Sequence, residues 1–234
     1  MHKTTSGTLM IEATPTAAYD PRCTRCPRLT QYLATIRARH PGYFAHPVPS
    51  FGDEAPRLLI IGLAPGLHGA NRTGRPFTGD HAGILLYETL YAAGLANRPH
   101  SVSAEDPLRL KRTRIANAVK CVPPANKPLP EEIRRCNAFL AAELTGLTRV
   151  RVLLALGRVA HEAVLLARNQ PRSGYPFAHG REHRLSAELT MLDSYHCSRY
   201  NTQTRRLTTA MFRAVTARAC ELAGLPVPAA LTAS

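Results

Sequence analysis

LLIIGLAPGLHGANRTGRPFTGD, residues 58–80, joins a five-residue apolar run to a long polar segment rich in glycine. The run 58–62 is short and bounded by polar or turn residues, as a buried strand is. The segment after it carries Asn71, Arg72, Thr73, Phe77, Thr78 and Asp80. It resembles a nucleotide-phosphate loop only superficially, because it lacks G-x4-GK[ST] and the chain has no GxGxxG. Glycine lets a backbone approach a ligand closely. An aromatic residue beside an acid suits a pocket that stacks a flat base and activates water.

Three further runs have the character of 58–62: 115–119 (IANAV), 152–156 (VLLAL) and 189–192 (LTML). A helical pattern follows each run, at 83–95, 131–144, 159–167 and 204–224, and 27–39 can form one more. The second opens with Pro130 and two Glu in its first turn, a good helix start. Gly224 suits the stop of the last. Strands alternating with helices predict a parallel sheet with helices on both faces. Right-handed crossovers then place every strand's C-terminal end on one edge, outside which such sheets bind ligands. The polar segments 62–80, 120–128 (KCVPPANKP) and 194–202 (SYHCSRYNT) all follow strands.

The chain has 234 residues, 44% apolar, with a mean hydropathy of −0.17. That excludes a disordered chain, and no apolar run approaches the roughly 18 residues of a spanning helix. Thirty basic against 16 acidic residues give +14, and all but four of the basic ones are Arg. A polyanionic partner is expected, nucleic acid first and an acidic small molecule second. Residues 1–20 have no apolar h-region and read as a mobile tail, not a secretory signal. One domain over 21–225 and a second tail over 226–234 complete the organisation. The expected setting is a cytoplasmic monomer, with its six cysteines reduced.

Cys23 and Cys26 form C-x2-C, and Cys121 and Cys136 form C-x14-C. Together they can make a four-thiolate site for zinc or an iron–sulfur cluster, and spacing alone does not choose. Cys220 falls on the apolar side of the last helix and reads as core. Cys197 adjoins His196, which leaves a reactive thiol open. His179 and His183 read as surface residues.

GLAPG-x-HGANRTGRPFTGD, NAVKCVPPANKP (117–128) and HCSRYNTQT (196–204), with YFAHPVPSFGD (43–53) and the cysteine pattern, resemble the uracil-DNA glycosylase superfamily, specifically its family 5 (type B) branch. The resemblance runs from Cys23 to the last helix. It implies a three-layer α/β/α sandwich around a four-stranded parallel sheet. It also implies a [4Fe–4S] cluster on Cys23, Cys26, Cys121 and Cys136, and excision of uracil and other deaminated bases such as hypoxanthine from DNA. On that resemblance Gly62, Leu63 and Ala64 would open the first active-site motif, and the apolar Leu63–Ala64 pair would move water activation to Asp80. Phe77 would stack on the flipped base, Asn117 would bind its edge, and His196 would donate to its carbonyl oxygen. Arg72, Arg75, Ser198, Arg199, Tyr200 and Asn201 would face DNA, as would Arg109, Arg112 and Arg114.

One departure stands out. The family reads His-Pro-Ser where this chain reads His196-Cys197-Ser198, which removes a restraint on the loop. It leaves open a second reading, a drifted nucleic-acid-binding module with the same fold and cluster. A zinc enzyme of unrelated chemistry is the third. No lysine is placed as a Schiff-base nucleophile, so hydrolysis without lyase activity is expected. Asp80 also suits an N-cap for the helix beginning near His81.

Overall fold

The structure is a computed structural model and describes residues 18–232. The expected tail 1–20 lies outside that range up to residue 17. Its last residues join the domain, since Tyr19 Oη donates to the Pro47 carbonyl at 2.7 Å.

The chain runs through α1 (Pro27–Arg39), β1 (Phe51–Gly52), β2 (Leu58–Gly62), α2 (Ala70–Thr73), α3 (His81–Ala92) and β3 (Thr113–Asn117). It continues through α4 (Pro130–Gly146), β4 (Val152–Leu156), α5 (Arg158–Ala167), β5 (Glu182–Arg184), β6 (Thr190–Ser194), α6 (Arg199–Gln203), α7 (Thr209–Leu222) and α8 (Ala229–Thr232). The sheet order is β1-β3-β2-β4-β6-β5. The four expected strands form its parallel centre, with Ile60 opposite Ile115 on one side and Leu154 on the other. The sheet is wider than the expected four strands. Antiparallel β1 and β5 close its edges, and with two and three residues they are too short to show a period.

Side-chain alternation along the strands divides the core. Leu58, Ile60, Leu154 and Leu192 pack with Leu86 and Leu90 of α3 and Phe212 and Val215 of α7. Leu59, Ile61, Leu153 and Met191 pack with Leu140 of α4 and Val164 of α5. Every residue of β2 and β4 is buried, as parallel strands covered on both faces require.

Three expectations change here. The helix expected over 204–224 begins only at Thr209, because Arg205 takes φ 56° and Thr208 caps the new start, its Oγ1 accepting from Met211 N. The C-terminal stretch is not a free tail: Leu231 of α8 packs into the core. His183 is buried on β5, and His179 is half-buried against Tyr195, because loop 168–181 folds back over the sheet end.

Arg75 does not face DNA. Its guanidinium is buried, lies 4.3 Å from the Phe51 ring centre, and donates to the Asp106 carboxylate and the Ala104 carbonyl. Arg109, Arg112 and Arg114 stand at the N-terminal end of β3, away from the ligand edge, and Arg114 pairs with Glu143 at 2.8 Å. Burial raises the Asp106 pKa, but Arg75 and three backbone N–H groups outweigh it and hold the group at about 2. A carboxylate depressed in the folded state contributes stability above its unfolded pKa and loses it as pH falls toward the folded value. Asp106→Asn should therefore cost about 3 kcal/mol at pH 7 by stranding a buried charge. The deficit should shrink as pH approaches 2, which denaturant midpoints measured at pH 7 and pH 3 will show.

Candidate active site

The central strands run β3-β2-β4-β6, so the chain leaves β2 to one side for β3 and returns to its other side for β4. Ligands bind at such a reversal, outside the strand ends. A cleft of about 550 Å³ opens there, between Leu63 and Ala64 after β2 and Leu156, Gly157 and Arg158 after β4. His196, Ser198 and Arg199 border it from the loop after β6. A second cleft, of about 680 Å³, shares His68, Asp80, His81 and Arg199 with it and adds Phe77.

Asp80 stands at the wall common to both. Oδ1 accepts from Gly83 N at 3.1 Å and so caps α3. Oδ2 accepts no hydrogen bond from any described residue and packs against Gly66 and Gly69, where a Cβ on Gly69 would lie 2.4 Å away. Burial raises the Asp80 pKa, and the N–H groups of Gly83 and Ala82 oppose the rise without cancelling it. One oxygen is structural and the other is free to hold water.

Phe77 takes φ 55°, and its ring lies 5.8 Å from the His196 ring at 25°. Gly62 lets Phe77 meet Asn117: a Cβ there would lie 2.5 Å from Asn117 Oδ1 and 2.7 Å from the Phe77 ring. The Asn117 amide is buried and bonds no described side chain or backbone group, so its hydrogen-bonding capacity is uncommitted. Gly62 and Asn117 lie behind the open cleft walls. Burial holds the His196 pKa down at about 4, so its imidazole is neutral at pH 7 and can donate one N–H.

The loop after β6 is braced from inside. Asn201 Nδ2 donates to the His196 carbonyl at 2.8 Å, so this residue positions the loop. Ser198 caps α6, leaving Arg199 and Tyr200 exposed, Tyr200 by 71%. Arg72 is exposed on α2. Cys197 is fully buried in the core, and burial, with the Asp80 charge adding to it, pushes its thiol up to about 12. It is a packing residue rather than a nucleophile.

Of three further residues at the clefts, His68 matched the sequence motif without a role, and His81 and Arg158 escaped the sequence reading as site residues. His68 is held by Tyr43 Oη at 2.8 Å, with His40 stacked on Tyr43. His81 Nε2 meets Thr202 Oγ1 at 3.0 Å and ties α3 to α6. Arg158 follows β4, whose C-terminal end carried the same signal as the other three strands.

Cys23, Cys26, Cys121 and Cys136 converge on one small pocket with Leu29, Val119 and Phe139. Burial and the neighbouring thiols raise Cys26 to about 11. Around them Arg28 forks onto Glu132, and Arg25 lies over the Phe139 ring at 4.6 Å.

This fold and site define a family: the chain belongs to the uracil DNA glycosylase superfamily, whose profile matches residues 49–219. Among its relatives, a protein of Thermus thermophilus named type-5 uracil-DNA glycosylase is 48% identical over 87% of this chain and 94% of its own length. One of the same name from Mycobacterium bovis is 43% identical over 87% and 79%. A type-4 uracil-DNA glycosylase of Archaeoglobus fulgidus is 35% identical over 50% and 51%. No helix among the described residues is long and apolar enough to cross a membrane.

Burial makes Cys197 inert in the folded state. Alkylation with iodoacetamide, mapped by mass spectrometry, should modify Cys197 only after denaturant unfolds the protein. Labelling under native conditions would place the thiol at the surface.

Proposed function

We propose that this protein is a monofunctional glycosylase that hydrolyses the N-glycosidic bond of uracil in DNA, with hypoxanthine as a further substrate, and so initiates base excision repair. The single observation that carries the reading is the divided Asp80 carboxylate beside a neutral His196 at the sheet's reversal. The names of the type-5 relatives support uracil as the base.

The target bond is shielded in a stacked duplex, so the nucleotide must flip out at a cost of a few kcal/mol. Arg72, Arg158 and Arg199 are exposed around the clefts, and their phosphate contacts would offset that cost. Tyr200, projecting from α6, suits the space the base leaves. Phe77 then stacks on the base and the Asn117 amide reads its edge. A neutral His196 donates to the departing carbonyl oxygen without surrendering a proton, stabilising charge as the bond breaks. Asp80 Oδ2 orients the attacking water, and its charge offsets the cation forming on the sugar. The apolar Leu63–Ala64 pair offers no hydrogen bond that would reject a purine, which favours hypoxanthine as well as uracil. Lys120 is committed to Glu143 and Ser50 and does not line the cleft, in keeping with hydrolysis rather than Schiff-base chemistry.

The four converging thiols are a donor set for the [4Fe–4S] cluster that the cysteine pattern's resemblance implies. The cluster would supply a covalent tie between the N-terminal segment and the lobe after β3. We place the enzyme in the cytoplasm as a monomer.

Duplexes carrying one uracil or one hypoxanthine, treated with enzyme and then alkali, test the reading. Strand breaks should appear only after alkali. Asp80→Ala should slow excision about 10²–10⁴-fold and His196→Ala about 10²–10³-fold, with duplex binding retained. Intact DNA from both duplexes, with binding preserved, would favour a binding module.

The pH profile gives a separate check. Asp80 must be ionised, so single-turnover excision should fall on the acid side with an apparent pKa above the ordinary 3.8. The His196 value of about 4 predicts no inflection near 6.5. Asp80→Asn should flatten the acid limb.

A further inference from the structure

His161 of α5, His183 of β5 and Asp193 of β6 meet in the interior behind the cleft, all buried. None of them borders either cleft. One ligand atom from each lies within 4.8 Å of the others. His161 Nδ1 is 2.8 Å from Asp193 Oδ1, and His183 Nε2 is 3.0 Å from Asp193 Oδ2.

The donor count at His161 is decisive. Its Nε2 lies 2.8 Å from the Tyr175 carbonyl, which can only accept, so that nitrogen carries the hydrogen. A neutral imidazole then turns a bare Nδ1 lone pair toward a carboxylate oxygen. Two lone pairs in buried contact need a cation between them. A proton would satisfy that one contact. His183 could then donate Nε2–H to the other oxygen, so a proton-only arrangement is the competing state that the test must separate from a bound ion.

A metal ion accounts for all three donors at once. Two imidazoles and a carboxylate are a ligand set for zinc and its first-row neighbours. A ligating histidine donates its other N–H to a carbonyl or carboxylate, as His161 does to Tyr175. The rings of Phe177 and Tyr175 stand edge-on to the two histidines and shield them.

We propose that His161 Nδ1, His183 Nε2 and the Asp193 carboxylate bind a divalent cation of the zinc class, at a structural site separate from the cysteine lobe and the cleft. One carboxylate and two imidazoles make up its protein ligands. The ion clamps α5 and the edge strand β5 to β6. That is the base of the loop carrying His196: Asp193 also holds Gly180 N through its backbone carbonyl at 2.8 Å, three residues before the histidine.

The test uses the full chain as purified, dialysed against a chelator and then titrated with zinc. Bound zinc and iron are counted together by mass spectrometry for the wild type, His183→Ala and Asp193→Asn. The expected result is one zinc per wild-type chain that both variants lose. Zinc at a hundredfold excess over Kd should raise the wild-type Tm by about 5–10 °C. Cobalt provides a measurement independent of the variants' folding. A nitrogen–oxygen site gives weak visible bands without the intense near-ultraviolet thiolate bands of a cysteine site. Wild-type protein that takes up no more zinc than His183→Ala, or cobalt spectra with thiolate bands alone, would overturn the proposal and leave the triad as a hydrogen-bonded proton site.

Discussion

Phe77, Asn117 and Asp80 come together because residues 62, 69 and 83 carry no side chain. A Cβ at 62 would strike both Asn117 and Phe77, and one at 69 would strike the Asp80 carboxylate. One at 83 would sit 1.7 Å from the Phe77 carbonyl oxygen. The first of these contacts sets the back of the proposed base site and the second sets the face of the carboxylate. The third holds the turn between them, in which Phe77 adopts a left-handed conformation that a bulky residue takes only under constraint. The sheet supplies the platform for this turn. Gly62 ends β2 at the centre of the sheet, where it pairs with Asn117 of β3.

Division of labour within one carboxylate follows from that packing. Capping α3 anchors Oδ1 and aligns the helix dipole with the charge. Oδ2 is left facing the cleft without a competing donor. Of the two readings of Asp80 from sequence, the helix cap falls to Oδ1, and the proposed water-activating role would fall to Oδ2. Burial of His196 has a comparable effect. The ring is kept uncharged, so in the proposed reaction it would meet a departing anion as a dipole, and it forms no tight ion pair with Asp80 in the resting site.

The parallel core was legible because each central strand is a short apolar run at the right spacing. Strand 152–156 and the first helix 27–39 match the structure residue for residue, and 58–62 does likewise. The edge strands were not legible, since FG and EHR have neither length nor alternation. Nor was the break at Arg205, where a positive φ interrupts an otherwise helical pattern. Of the site, the residues on strand ends and glycine turns could be read from motif and position. The arginines could not be sorted. Arg75 and Arg199 lie in equally basic, equally polar stretches, yet one is buried against Asp106 and the other borders the cleft. Only tertiary partners separate them. His183 failed for the same reason: its buried partner Asp193 sits inside a strand, where an acid is not expected.

The contacts of the cysteine lobe span a long stretch of chain. Arg28 finds Glu132 across 104 residues, and Cys26 finds Cys136 across a similar length. At roughly 5–20 residues per second, the N-terminal thiol pair waits about 5–20 s on the ribosome before its partners exist. During that interval the two thiols face the solvent, open to oxidation or to any passing metal. Residues 23–26 are thus made well before Cys121 and Cys136, and they can dock only after β3 and α4 have emerged.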